Sequence, residues 1–229
     1  IYPGDDGVEV LDALGSIPVP IVSVLHTVLP DPSVRQRSII DGIAGRSQSL
    51  VVHSATAKER LVIAYDLDPA RIEVIPHGAR STVSARRAIG GWRPTMVTWG
   101  LLGPGKGVEH GIAAVARLRE RGIEVEYVVS GVTHPNVLRD EGERYRHGLL
   151  AMARRLGVDD LVRFDAHYRS QEEQADLLRA ADLVLLPYDT REQVTSGVLV
   201  EALAAGLPVV ATAFPHAVEL ADSGAVLVV

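Results

Sequence analysis

The chain contains no cysteine, which removes disulfides and thiolate metal sites and fits a reducing compartment. Aromatic residues reach only 4%, too few for an extended base-stacking surface or a lectin-like platform. Basic side chains are outnumbered, 23 Lys and Arg against 29 Asp and Glu. The resulting charge of −6 argues against a general nucleic-acid binder, which needs a basic face to neutralise phosphates. No apolar run approaches the roughly 18 residues of a membrane span. The longest candidate, 17–29, is broken by Pro18, Pro20, Ser23 and His26. The first residues carry Asp5 and Asp6 rather than a basic start, so no secretory signal is read there. The expected location is cytoplasmic, with peripheral attachment to a membrane as the alternative. The chain also opens at Ile1 in what reads as the middle of a fold.

What is present is enough apolar material for a packed core: 47% of 229 residues, one large or two small domains. Strand and helix patterns alternate almost throughout. Strands are read at 20–25, 49–52 and 72–75, with helices at 33–45 and 54–65, the second capped by Ser54. A polar stretch, 80–94, holds Gly90-Gly91 and reads as a linker. After it come strands at 95–99, 124–129, 161–164, 183–186, 208–211 and 225–228. Helices at 108–121, 141–156, 170–180, 198–205 and 216–221 lie between them. Continuous Val, Leu and Ile strands bounded by helices indicate parallel sheet covered on both faces. The expectation is therefore an α/β protein with a complete doubly wound domain at 95–229 and an incomplete, similar domain at 1–79. Ligands of such sheets sit at the carboxyl ends of the strands, so the loops after Trp99, Val129, Phe164, Leu186 and Ala211 are the informative ones.

The loop after the strand ending at Trp99 reads Gly100-Leu101-Leu102-Gly103-Pro104-Gly105-Lys106-Gly107. Glycines let backbone amides approach an anion, the following helix start favours negative charge, and Lys106 adds a formal positive one. The plainer alternative is a glycine-rich turn with a surface lysine. The spacing Gly100-x4-Gly105-Lys106 matches a P-loop until its last position, where Gly107 has no hydroxyl to hold magnesium. A dinucleotide fingerprint fails on the spacing of its glycines.

A second stretch runs Gln193-Val194-Thr195-Ser196-Gly197-Val198-Leu199-Val200-Glu201. Ser196 and Gly197 open a helix, so their amides and hydroxyl can receive a phosphate or sugar oxygen. Glu201 lies one turn inside, on the side of Gly197. A glutamate on so apolar a helix is costly to bury without a donor, and a ribose diol would satisfy it; otherwise it simply reaches solvent.

These residues resemble retaining glycosyltransferases of the large GT-B group, the group-one family whose hallmark is E-x7-E. Gln193 and Glu201 have the hallmark's spacing, and Gly100-Leu101-Leu102 with Lys106-Gly107 lines up with the family's G-R-L-x-x-x-K-G. Further matches are Val74-Ile75-Pro76-His77-Gly78, Leu25-His26-Thr27, and Ala180-Ala181-Asp182 before the strand ending Leu186-Pro187. A bacterial subgroup is suggested by Gly131-Val132-Thr133-His134-Pro135 and Gly142-Glu143-Arg144-Tyr145-Arg146.

The resemblance implies two Rossmann-like domains and metal-independent transfer of a sugar, with retention, from a nucleotide-diphosphate sugar to an unidentified hydroxyl acceptor. The nucleotide sugar is then a substrate, and no cofactor is expected. Lys106 would neutralise the diphosphate, Glu201 would hold the ribose hydroxyls, and the Ser196-Gly197-Val198 amides would meet phosphate and sugar. Gly103, Gln193 and Thr195 complete the expected donor contacts, 166–168 would border the base, and His26 would stand near the donor sugar. Two positions depart from the pattern: Gln193 replaces the first glutamate and Leu101 replaces the arginine of the diphosphate clamp. Arg80 and Arg191 are the candidate substitutes for that arginine. The departures also admit a relative that binds the nucleotide sugar without transferring it.

Overall fold

The computed structural model describes residues 5–80, 93–190 and 192–229, so most of the expected linker and Arg191 lie outside the described residues. The chain divides into two compact units. One comprises 1–77 with 192–196, the other 78–191 with 197–229. The short segment 192–196, read from the sequence as part of the donor domain, thus clusters with the first unit.

The first unit holds α1 (Val10–Gly15), β1 (Val22–Leu25), α2 (Val34–Arg46), β2 (Ser49–Val52), α3 (Ala55–Tyr65) and β3 (Ile72–Val74). Its three strands are parallel in the order β1-β2-β3. Both longer helices begin as the sequence dictates. Ser33 forms a reciprocal capping box with Gln36, and the Ser54 hydroxyl accepts from the Ala57 amide. Ile39, Leu50, Val52, Leu61 and Ile72 form the core, joined by Val194. Helix α1 falls outside the elements read from the sequence pattern.

The second unit contains β4 (Thr95–Trp99), α4 (Val108–Glu120), β5 (Glu126–Ser130), α5 (Pro135–Glu141), α6 (Arg144–Arg155) and β6 (Val162–Asp165). It continues with α7 (Gln171–Ala180), β7 (Leu183–Leu186), α8 (Gly197–Ala204), β8 (Val209–Ala211), α9 (Pro215–Leu220) and β9 (Val226–Val228). All six strands are parallel, in the order β6-β5-β4-β7-β8-β9. Alternate residues feed two separate cores. Met96, Tyr127 and Val129 pack with Ile112 and Leu149 on one face, while Val97, Trp99 and Val128 pack with Leu178 and Leu199 on the other. Each fully buried Val or Leu contributes roughly 1.5–3 kcal/mol, which is why such strands need helices on both sides.

The helix expected over 141–156 is α6, which starts three residues later, and a further short helix, α5, precedes it. The His134 ring accepts from the Asn136 amide and Pro135 occupies the first turn, which starts α5 early. Gly142 then ends it at φ 61°, and α6 restarts at Arg144. Among the described residues no helix is long and apolar enough to cross a membrane.

Candidate functional site

Strand order in the second unit reverses between β4 and β7, neighbours that lead to opposite halves of the sheet. Loops diverge there, leaving a crevice at the strands' carboxyl ends. The 100–107 loop leaves β4 at this point and is fixed from both sides. On one side Gly100 N donates to Ser130 O at 3.0 Å, Leu102 N to Val132 O at 2.9 Å, and His134 N to Leu102 O at 2.7 Å. On the other, Asp189 N donates to Gly105 O at 3.0 Å. Gly107 takes φ 61° at the start of α4, and a Cβ there would lie 1.7 Å from the Pro187 carbonyl oxygen. Only glycine permits that approach.

Lys106 is carried by this loop with its ammonium 4.3 Å from the centroid of the Tyr188 ring. Burial pushes its pKa down, and among the described residues no carboxylate offsets the shift. A partly buried cation held against a π face, beside the amino end of a 13-residue helix, is placed to meet an anion.

A cavity of about 560 Å³ opens at the same edge of the sheet. Gly100 and Leu101 line it from the β4 loop, Gly131 from the β5 loop, Arg169 from the loop after β6, and Val198 and Glu201 from α8. Val198 and Glu201 are three apart and share a helix face, while Leu199 and Ala202 turn into the core. His167 and Tyr168, from the 166–168 stretch, border the cavity, and Arg80 lines it too. Ala166 instead lines a neighbouring depression with Thr133, Glu143 and Arg146.

Several lining groups carry no motif that a sequence reading would single out. Arg169 donates through Nε to Ser130 Oγ at 2.7 Å and pairs with Asp165. Burial pushes the Asp165 carboxyl up, but hydrogen bonding to His167 at 2.5 Å and the Arg169 charge hold it below the usual range. The Gln174 side-chain amide also lines the cavity, and its buried Nε2 has no hydrogen-bond partner among the described residues.

Not every expected donor residue stands on this wall. Lys106 is not among the cavity's lining residues but sits against Tyr188, and Gly103 is buried near Val137. Gln193, Thr195 and Ser196 cluster with the first unit, whereas Gly197 begins α8 in the second. Gln193 spends its amide on the Thr195 carbonyl at 3.0 Å, and the Thr195 hydroxyl is buried without a described partner.

His26 belongs to the first unit, where it follows β1. Leu25 is in register with Val52, so His26 and His53 leave adjacent strands side by side. Their rings lie 4.6 Å apart, and His77, just beyond β3, lies 5.9 Å from His26 and 5.1 Å from His53. The His53 Nδ1 is 2.9 Å from the Ile75 carbonyl. Burial and then the two neighbouring imidazoles push the His26 pKa down. His26 and His77 both fall in matched motifs, though a role is expected only for His26; the signal for His53 is its place just past a strand end. Among the described residues no group of His, Cys, Asp or Glu is arranged to hold a metal ion.

Residues 93–229 match the family model described as glycosyl transferases group 1. The chain belongs to that family. Among its curated relatives are two proteins named D-inositol 3-phosphate glycosyltransferase. The one from Corynebacterium kroppenstedtii is 32% identical over 202 residues, 80% of this chain and 42% of the relative. The one from Actinosynnema mirum is 32% identical over 218 residues, 85% of this chain and 51% of the relative. The group 1 chain thus spans about half the length of the curated relatives it matches.

Solved structures agree on the GT-B fold. Anabaena HepE, in complex with UDP and glucose, superposes with a TM-score of 0.77 at 21% identity, over 98% of this chain and 61% of that one. A UDP-forming trehalose-phosphate synthase from Burkholderia xenovorans gives 0.74 at 15% identity, over 96% and 59%.

Proposed function

We propose that the chain binds a nucleotide-diphosphate sugar and, within its whole protein, transfers the sugar to a hydroxyl acceptor with retention of configuration and without a metal ion. The observation that carries this reading is Lys106: a partly buried cation with no carboxylate partner among the described residues, beside a helix amino end at the strand-order reversal. In the reaction the bond from the anomeric carbon to the diphosphate oxygen breaks, a bond to the acceptor oxygen forms, and the acceptor hydroxyl's proton passes to the departing diphosphate. Negative charge grows on the leaving diphosphate, where Lys106 and the α4 amino end stabilise it more in the transition state than in the ground state.

Glu201 would receive the ribose hydroxyls, and Tyr168 with the orphan amide of Gln174 would border the base. Arg80 supplies a cation on the wall where Leu101 replaces the family arginine. A volume of about 560 Å³ lies within the range of small-ligand sites. The UDP of the similar solved structures makes it the first nucleotide to try, and the curated relatives' name makes a phosphorylated cyclitol the first acceptor.

The test is thermal denaturation with UDP, GDP and ADP. One of them raises the melting temperature, and Glu201→Ala abolishes the rise; no shift with any of the three overturns the reading. A second reading, binding without transfer, draws on Gln193, whose amide is tied to its own turn. Slow donor hydrolysis by the whole protein would exclude it.

A further inference from the structure

The donor site proposed above leaves two sequence motifs, 131–135 and 142–146, without a role, and the role inferred for them rests on that site. The structure joins them in one hydrogen-bonded cluster. The Arg146 side chain is only 8% exposed. Its Nη2 donates to the Gly131 carbonyl at 2.6 Å and reaches Thr133 Oγ1 at 3.5 Å, and its Nε donates to Glu143 Oε2 at 3.3 Å. The Thr133 hydroxyl donates to the same carboxylate oxygen at 2.5 Å. That hydrogen bond, and after it the arginine's charge, holds the Glu143 carboxyl below the usual carboxylate range against the effect of burial. Arg146 Nη1 is buried with no partner among the described residues.

A buried guanidinium in the first turn of a helix is a poor source of stability. The helix dipole opposes it, and an apolar side chain of similar volume would serve the fold as well or better. What an apolar side chain cannot do is fix a peptide plane. Both peptides that flank the Gly131 Cα are fixed here: the Gly131 N–H donates to Asp165 O at 2.8 Å, and Arg146 holds the Gly131 carbonyl. Gly131 takes φ 139°, and a Cβ there would lie 2.0 Å from the Gly100 carbonyl oxygen. Gly100 and Gly131 both line the cavity, and the adjoining Ser130 hydroxyl receives Arg169. A continuous set of hydrogen bonds therefore runs from α6 to the cavity wall.

We propose that Arg146, oriented by Glu143 and Thr133, is a positioning residue for the donor cavity, holding the Gly131 backbone against Gly100 and so setting the wall that the sugar diphosphate meets. Displacement of such a wall by about 1 Å is enough to cost up to a hundredfold.

The test measures calorimetric binding of UDP, GDP and ADP alongside melting temperature, using the whole chain. Arg146→Met is expected to melt at or above the wild-type temperature yet bind its nucleotide at least tenfold more weakly. Thr133→Val weakens binding in the same way, and Thr133→Ser, which keeps the hydroxyl, binds within twofold of wild type. A folded Arg146→Met with wild-type affinity overturns the proposal. Should that variant fail to fold, Glu143→Gln decides, since its affinity must fall severalfold for the proposal to stand. A wild type that binds none of the three diphosphates overturns the donor-site reading and this inference with it. Variants that match a binding wild type overturn this inference alone.

Discussion

Lys106 is a partly buried cation against a tyrosine face, with no carboxylate among the described residues to offset the cost. Its depressed pKa means that the unfolded chain binds this proton more tightly, so at neutral pH the charged lysine weighs against folding. Lys106→Met is accordingly expected to raise the melting temperature while weakening nucleotide diphosphate binding roughly tenfold to hundredfold, the loss of one charge-assisted hydrogen bond. Calorimetry on wild type and variant measures both. His26 has the same sign of shift. Its folded pKa lies below the ordinary 6.5, so the stability it contributes is present above that value and is lost as pH falls through the folded pKa. Melting temperatures between pH 8 and 5 should decline on the acid side in wild type, and the decline should be shallower in His26→Gln.

The elements around the cavity begin and end on local chemistry that substitutions can remove. The Ser170 hydroxyl accepts from the Glu173 amide and the Glu173 carboxylate accepts from the Ser170 amide, closing a capping box on α7 just after the wall residue Arg169. Ser170→Ala should cost about 1 kcal/mol in urea unfolding. Gly107→Ala is a harsher change. A methyl group 1.7 Å from the Pro187 carbonyl must push the β4 and β7 loops apart, so loss of nucleotide binding together with more than about 3 kcal/mol of stability is expected. A Gly107→Ala protein that still binds would show that the approach of these loops is dispensable.

Each unit closes its own core, with Leu50, Val52 and Leu61 in one and Val97, Tyr127 and Leu199 in the other. Two independent cores predict two unfolding transitions in scanning calorimetry. The cavity and Lys106 lie in the second unit, so a bound nucleotide diphosphate should raise only that unit's transition. A single transition shifted as a whole would show that the units unfold together.

The sequence by itself determined the alternation of strand and helix, the caps at Ser33, Ser54 and Ser170, and the two stretches that hold Lys106 and Glu201. All of these are set by neighbours within a few residues, where periodicity and turn chemistry act. The short helix α5 is started locally too, by His134 and Pro135, but its seven residues are too few for a periodic signal. Tertiary structure alone decided the rest. Parallel register put His26, His53 and His77 together although they are scattered along the chain. The reversal between β4 and β7 brought α8 to the β4 loop, and the fold returned Arg146 of α6 to Gly131. Contacts between residues so far apart in sequence depend on the order in which strands pair, and no local pattern carries that order.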